Sequence, residues 1–497
     1  MPMAKLTLDP AFEVGPVERR LFGSFVEHMG RCVYTGVFEP GHPEADADGL
    51  RRDVIELTRE MGVTAVRYPG GNFVSNYEWE DGVGPAAERP TRLDLAWRQI
   101  ETNAFGLGEF MAWLREVDAE PVMAVNLGTR GVRAARDLVE YANYPGGTRW
   151  SDLRIKHGMR EPYGIKVWCL GNEMDGPWQI GGKTAEEYGR LAFETAKAMR
   201  RVDPDIELVA CGSSNTRIST YGSWEATVLE HCYDQVDYIS AHNYYDAVTG
   251  DRASYLASAV EMEQQIQDVI ATADHVAAKL RSRKRLKVSF DEWNVWSYTK
   301  FGGESGLDWE HAPRLIEEDY DVAGAAVVGS LLITLLNHAD RVGIACQAQL
   351  ANVIAPIRTE PGGPAWRQTI FHPFALTAAN ARGRVMRAQV TAPSMPTERF
   401  GEVPVLTATA TIEDDQLAVF AVNRGDRPLP LEIDLRGLQN PTEISHITVA
   451  DEDTAARNTE HDPRRVEPRA LQGATIDGNR ITAVLPPISF NVLKATC

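Results

Sequence analysis

Trp168-Cys169-Leu170-Gly171-Asn172-Glu173-Met174 is the stretch from which the chain is read. An apolar run from Ile165 to Leu170 ends abruptly in Gly-Asn-Glu. A charge at the end of a buried strand is costly unless it is paired, or unless its pKa shifts. The pattern recurs at Leu286-Lys287-Val288-Ser289-Phe290, followed by Asp291-Glu292-Trp293-Asn294. Two strand-like runs that each end in a glutamate predict paired carboxylates at the rim of one barrel. Such a pair is the equipment of glycosidic-bond hydrolysis.

Working outward, the sequence alternates strand-like and helical segments. Strands are expected at Leu21–His28, Thr64–Tyr68, Pro121–Asn126, Ile165–Leu170, Ile206–Cys211, Val236–His242, Leu286–Phe290 and Arg341–Cys346. Helices are expected at Arg51–Met61, Leu107–Val117, Val132–Ala142, Thr184–Arg201, Tyr255–Arg281 and Val322–His338, the last very apolar. Eight strands mostly separated by helices imply a closed parallel α/β barrel, the (β/α)8 TIM barrel, spanning residues 17–373. Its active site belongs at the C-terminal strand ends. Polar residues collect there: Glu27, Asn72, Asn126, Asn172, Glu173, His242 to Tyr244, Glu292 and Gln349.

Helical periodicity is expected to stop after Pro373. Short alternating runs follow, beginning with Arg384–Val390 and punctuated by Pro, Gly, Asp and Asn. They predict a C-terminal antiparallel β-sandwich, jelly-roll-like, over residues 374–497 and joined by an N-terminal strand from residues 1–16. The charged stretch Asp451–Gln472 reads as an exposed loop. All eleven tryptophans lie between Trp79 and Trp366, so sugar stacking belongs to the barrel and the sandwich reads as structural.

A net charge of −19 disfavours nucleic acid and anionic membrane surfaces as partners. The sequence has no run of eighteen apolar residues and no recognisable secretion signal at its start. Six scattered cysteines read as reduced thiols, which points to a cytoplasmic location. The eleven histidines show no metal-ligand spacing, so neither metal nor organic cofactor is expected.

Cleavage requires an acid for the leaving oxygen, and a base or nucleophile for the anomeric carbon. Roughly 5–5.5 Å between carboxyls means retention and a wider gap inversion, a distance that sequence spacing leaves open. Arg67 reads either as the cation that keeps Glu292 ionised or as a structural ion pair. His242 reads either as support for the site or as a satisfied hydrogen-bonding histidine. Tyr244 is a donor to Glu292, and Asn172 a partner for a sugar 2-hydroxyl.

The Asn-Glu after strand four and the Glu after strand seven resemble the clan A retaining glycosidases. More specific stretches resemble the α-L-arabinofuranosidases of glycoside hydrolase family fifty-one: Gly23–His28, Arg67–Phe73, Cys169–Trp178, His242–Tyr245, Asp291–Trp296 and Gln349–Pro356. The resemblance covers nearly the whole chain. It implies Glu173 as acid/base and Glu292 as nucleophile. It also implies that Glu27, Asn72, Asn172, Tyr244 and Gln349 hold the sugar hydroxyls, with Trp178 and Trp296 lining the pocket. The implied activity is retaining, exo-acting release of non-reducing-end arabinofuranosyl units from arabinan- or arabinoxylan-derived oligosaccharides, by a homo-oligomer, commonly a hexamer. The alternatives are another clan A enzyme (β-xylosidase, β-glucosidase or endoglucanase) and a non-enzymatic sugar-binding protein, which retention of both carboxylates disfavours.

Overall fold

The structure is a computed structural model that describes residues 3–247 and 250–497. Eight parallel strands close a barrel: β1 (Gly23–Phe25), β2 (Ala65–Tyr68), β3 (Glu120–Ala124), β4 (Val167–Leu170), β5 (Glu207–Ala210), β6 (Tyr238–Tyr245), β7 (Lys287–Val295) and β8 (Val342–Ala348). They run in chain order around the ring, with β8 pairing β1. Each is followed by a helix: α1 (Arg52–Met61), α2 (Leu107–Val117), α3 (Val132–Asn143), α4 (Ala185–Val202), α5 (Ser223–Cys232), α6 (Ala259–Leu280), α7 (Val322–Asn337) and α8 (Phe371–Asn380). This is the expected TIM barrel with a C-terminal region of antiparallel sheets.

Local chemistry sets the helix ends. α4 starts in a capping box: Thr184 Oγ1 accepts from Glu187 N at 3.3 Å, and Glu187 Oε2 accepts from Thr184 N at 2.9 Å. Glu186 and Glu187 open the helix and Arg200 and Arg201 close it, matching its dipole. α7 is buried all round from Val322 to Leu336, because it lies between barrel and sandwich. The two come so close there that a Cβ on Gly329 would sit 2.4 Å from the Phe490 ring.

The sandwich has a seven-stranded and a five-stranded sheet around a separate apolar core, including Leu6, Leu431, Ile433, Val419 and Leu493. The N-terminal segment forms two strands. Ala4–Leu8 runs parallel to Leu429–Leu435 in the smaller sheet, and Glu13–Pro16 pairs with Arg384–Met386 in the larger. The sandwich also reaches the barrel mouth side. Arg399, on the turn between Ser394–Thr397 and Gly401–Pro404, donates to Glu261 Oε2 of α6 at 2.7 Å.

Several expectations change. Helical structure continues past Pro373 to Asn380, since residues after Pro373 keep an apolar face against the barrel. α5 escaped the reading because its ten residues are short and polar-rich. Tyr255–Arg281 is broken at Ala257–Ser258 into Arg252–Leu256 and α6. Arg384–Val390 divides between the two sheets as Arg384–Met386 and Gln389–Thr391. Asp451–Gln472 is not wholly exposed: Asn458 is buried and clasps Val466 through both backbone groups while also bonding Arg367 O. All six cysteines are free thiols. Among the described residues, no helix is long and apolar enough to cross a membrane.

Candidate active site

The carboxylates expected from the sequence meet at the C-terminal mouth of the barrel. A pocket of about 570 Å³ opens there. Glu27, Asn72, Glu173, Trp178, Tyr244, Glu292, Trp296 and Gln349 all line it. Glu173 leaves β4 through a sharp turn in which Gly171 (φ 94°) and Glu173 (φ 44°) both take left-handed backbone. One oxygen from Glu173, one from Glu292 and one ring nitrogen of His242 lie within 4.8 Å of one another.

The two carboxylates have different surroundings. Glu292 accepts from Arg67 Nη1 at 2.6 Å on Oε1 and from the Tyr244 hydroxyl at 2.8 Å on Oε2. Arg67 also donates from Nη2 to Asn172 Oδ1 at 2.8 Å, and Asn172 Nδ2 donates to Asn72 Oδ1 at 3.2 Å. Among the described residues no guanidinium pairs with Glu173. Glu173 accepts from Trp178 Nε1 at 2.9 Å, and its other oxygen meets His242 Nδ1 at 3.0 Å. Burial lifts the Glu173 carboxyl above its usual range, and the Glu292 charge adds to this. Burial opposes a charged His242 ring, yet Glu292, Asp291 and Glu173 outweigh it and raise the ring to about 10. The Glu173–His242 pair therefore holds its proton more tightly than either group alone in water.

The third carboxylate, Glu27, closes the opposite side. It accepts from Phe73 N and Trp97 Nε1 at 3.0 Å and from Gln349 Nε2 at 2.9 Å. Burial pushes it up to about 7 against these hydrogen bonds, with the Glu292 charge also raising it. Gly71 is required for packing: a Cβ there would lie 2.9 Å from Glu292 Oε1.

Tyr244 and Trp296 form a T-shaped pair, ring centroids 5.2 Å apart. The Trp178 ring is 43 % exposed, open to a ligand. Arg67, Asn172 and His242 are buried; Arg67 and His242 bind the site's carboxylates, and Asn172 links Arg67 to Asn72. Asn126 does not join the site. Its amide caps the turn after β3, bonding Tyr77 O, Thr129 Oγ1 and Thr129 N at 2.9 Å.

The sequence reading missed two neighbours. Trp97 sits on a hairpin, Arg92–Asp94 with Gln99–Glu101, inserted after β2 where periodicity gives no signal. Its hint was membership in the tryptophan-rich barrel segment. Asp291 was hidden beside Glu292, because regular alternation sends consecutive residues to opposite faces.

The pairing of a buried, protonatable glutamate with one gripped by an arginine supports acid-assisted displacement at a sugar carbon. Comparison with known proteins agrees. Family profiles described as "Alpha-L-arabinofuranosidase 1 domain" and "Alpha-L-arabinofuranosidase C-terminal domain" match residues 57–253 and 291–489. The chain is 60 % identical to an intracellular exo-α-(1→5)-L-arabinofuranosidase of Streptomyces lividans, across 99 % of this chain and 75 % of that one. It is 50 % identical to an exo-α-(1→6)-L-arabinofuranosidase of Bifidobacterium longum, across 99 % and 97 %. Among solved structures, AbfB of Bifidobacterium longum, a family 51 α-L-arabinofuranosidase, superimposes with a TM-score of 0.95 at 44 % identity, covering 100 % of both chains.

Proposed function

The chain belongs to the α-L-arabinofuranosidases of glycoside hydrolase family 51, and from that membership we propose a retaining double displacement with Glu292 as nucleophile and Glu173 as acid/base. The protein is an exo-acting α-L-arabinofuranosidase. The observation that carries the mechanism is the approach of the Glu173 and Glu292 oxygens to within 4.8 Å, in surroundings that favour the neutral form of Glu173 and ion-pair Glu292. That spacing suits direct attack by Glu292 rather than an intervening water.

In the first half, Glu173 gives its proton to the leaving oxygen as Glu292 attacks the anomeric carbon. The bond to the sugar removes the Glu292 charge, and with it one cause of the raised Glu173 pKa. Glu173 then takes a proton from a water that attacks the anomeric carbon, and the bond from that carbon to Glu292 breaks, returning the Glu292 carboxylate. Glu27, Asn72, Asn172, Tyr244 and Gln349 hold the sugar hydroxyls, and Trp178 and Trp296 flank the ring and its leaving group. Arg67 and His242 support the two carboxylates. These steps call for no metal or organic cofactor.

The substrates are short α-(1→5)-linked arabino-oligosaccharides met inside the cell, as the name of the Streptomyces lividans relative supports. The assembly is a homo-oligomer, a hexamer by family likeness, which sedimentation checks. Turnover on 4-nitrophenyl glycosides tests the reading. Rapid release from the α-L-arabinofuranoside, lost in Glu292→Ala, is the expected result. Preference for an aryl xyloside would move the substrate to another clan A sugar, and wild-type activity in Glu292→Ala would remove the nucleophile assignment.

A further inference from the structure

Asp291 and Glu292 are consecutive, yet both side chains join the same buried network. β7 makes this possible with a bulge. Ser240 and His242 of β6 pair with Ser289 and Glu292, while Phe290 and Trp293 pair with Ala345 and Gln347 of β8. β7 thus carries one extra residue against both neighbours, which re-aims a side chain.

Asp291 is fully buried. Its Oδ1 bonds His242 Nε2 at 2.8 Å. Its Oδ2 accepts from Cys169 Sγ at 3.5 Å and faces Arg67 Nε at 3.8 Å. That Arg67 nitrogen has no hydrogen-bond partner among the described residues. On its other side, His242 Nδ1 meets Glu173 Oε1 at 3.0 Å and lies 3.7 Å from Glu292 Oε2. The charged and titratable groups around Asp291 and His242 are therefore Arg67 from β2, Cys169 from β4, Glu173 from the turn after it, Cys211 after β5 and Glu292 from β7. Tyr244 from β6 and Cys346 from β8 complete the set.

We propose that Asp291 is a positioning residue for the catalytic proton: it fixes the tautomer of His242 and sets how tightly the Glu173–His242 pair holds the proton delivered to the leaving group. The inference rests on the reading of Glu173 as acid/base. A carboxylate accepts on both faces, so Asp291 keeps Nε2–H directed at itself and leaves Nδ1 to exchange a proton with Glu173. An asparagine accepts on one face only. Its amide nitrogen either opposes Arg67 or faces His242 Nε2, which reverses the tautomer. Its neutrality also removes a negative charge that holds the proton on the pair. Burial works against the Asp291 carboxylate, but Arg67 and His242 keep it below the usual range, so the charge is present at working pH.

The test is kcat/KM against pH for Asp291→Asn, on 4-nitrophenyl α-L-arabinofuranoside and on an unactivated arabino-oligosaccharide. The alkaline limb is expected to fall by about one pH unit. Turnover of the oligosaccharide is expected to fall at least tenfold more than that of the aryl glycoside, whose leaving group needs less protonation, with KM little changed. An unmoved limb, or equal losses on both substrates, overturns the inference. Glu173→Ala run alongside separates the two readings. If it shows the leaving-group dependence and Asp291→Asn does not, only the Asp291 role fails. If Glu173→Ala lacks that dependence, the acid assignment fails and this inference falls with it. Should Asp291→Asn not fold, His242→Gln removes the titrating ring and must lower the same limb; an unmoved limb there overturns the proposal equally.

Discussion

Arg67 Nη1 donates to Glu292 Oε1 at 2.6 Å, and both side chains are buried. An ion pair in that position is costly to form and costlier to break, since removing one partner strands the other charge. Arg67→Met is expected to lose about 3–5 kcal/mol of stability by that mechanism. It also frees Asn172 and one rotamer restraint on Glu292, so kcat/KM should fall on the order of 10²-fold or more. Denaturant unfolding and steady-state kinetics check both. A stable, active variant would show that Tyr244 alone holds Glu292.

Glu27 makes the opposite contribution to stability. Its folded pKa of about 7 lies above its ordinary 4.5. The neutral carboxyl therefore stabilises the fold fully below the unfolded value, and this is lost as pH rises through about 7. Glu27→Gln should be about 3 kcal/mol more stable than the parent at alkaline pH, with no such advantage near pH 4. Gln349 Oε1 is buried and unpartnered, so its amide flips to receive the new Nε2–H. Unfolding at both pH values checks this, and activity should fall with the lost sugar contact.

Trp178 Nε1 favours the ionised form of Glu173, the form needed to activate water. Trp178→Phe keeps a ring but removes the donor. The second half-reaction should slow by about tenfold, within the range of general-base effects. A pre-steady-state burst of 4-nitrophenol, absent or smaller in the parent, would report the accumulating glycosyl-enzyme. Thermal stability should barely move, because the ring is 43 % exposed.

Gly329 tests the seam between barrel and sandwich. Gly329→Val forces a side chain into the Phe490 ring, where even a Cβ lies at 2.4 Å. Overpacking of this kind costs about 1–3 kcal/mol. The melting temperature should drop while kcat of the folded enzyme holds, since α7 does not touch the pocket.

The barrel was legible because each strand is an apolar run that ends in turn or polar residues, a local signal. Glu173 and Glu292 were legible for the same reason, as charges where apolar runs stop. Asp291 was not, because its inward direction depends on a bulge set by pairing with β6 and β8. Trp97 was hidden in a hairpin whose contact with Glu27 spans 70 residues of sequence. Asn126 illustrates the converse: a polar residue at a strand end that caps its own turn and ties it to Tyr77 O rather than joining the pocket. Arg384–Val390 looked like one strand because which sheet each half joins is decided by the N-terminal strands, not by the run itself.

The central claim, that Glu292 attacks and Glu173 moves the proton, is tested most directly by azide rescue of the two alanine variants with an activated aryl α-L-arabinofuranoside. In Glu173→Ala the glycosyl-enzyme still forms, and azide should yield the α-arabinofuranosyl azide, with retained configuration. In Glu292→Ala azide should occupy the vacated carboxylate position and yield the inverted β-azide. The exchange of these two products between the variants, or the α-azide from Glu292→Ala, would contradict the assignment.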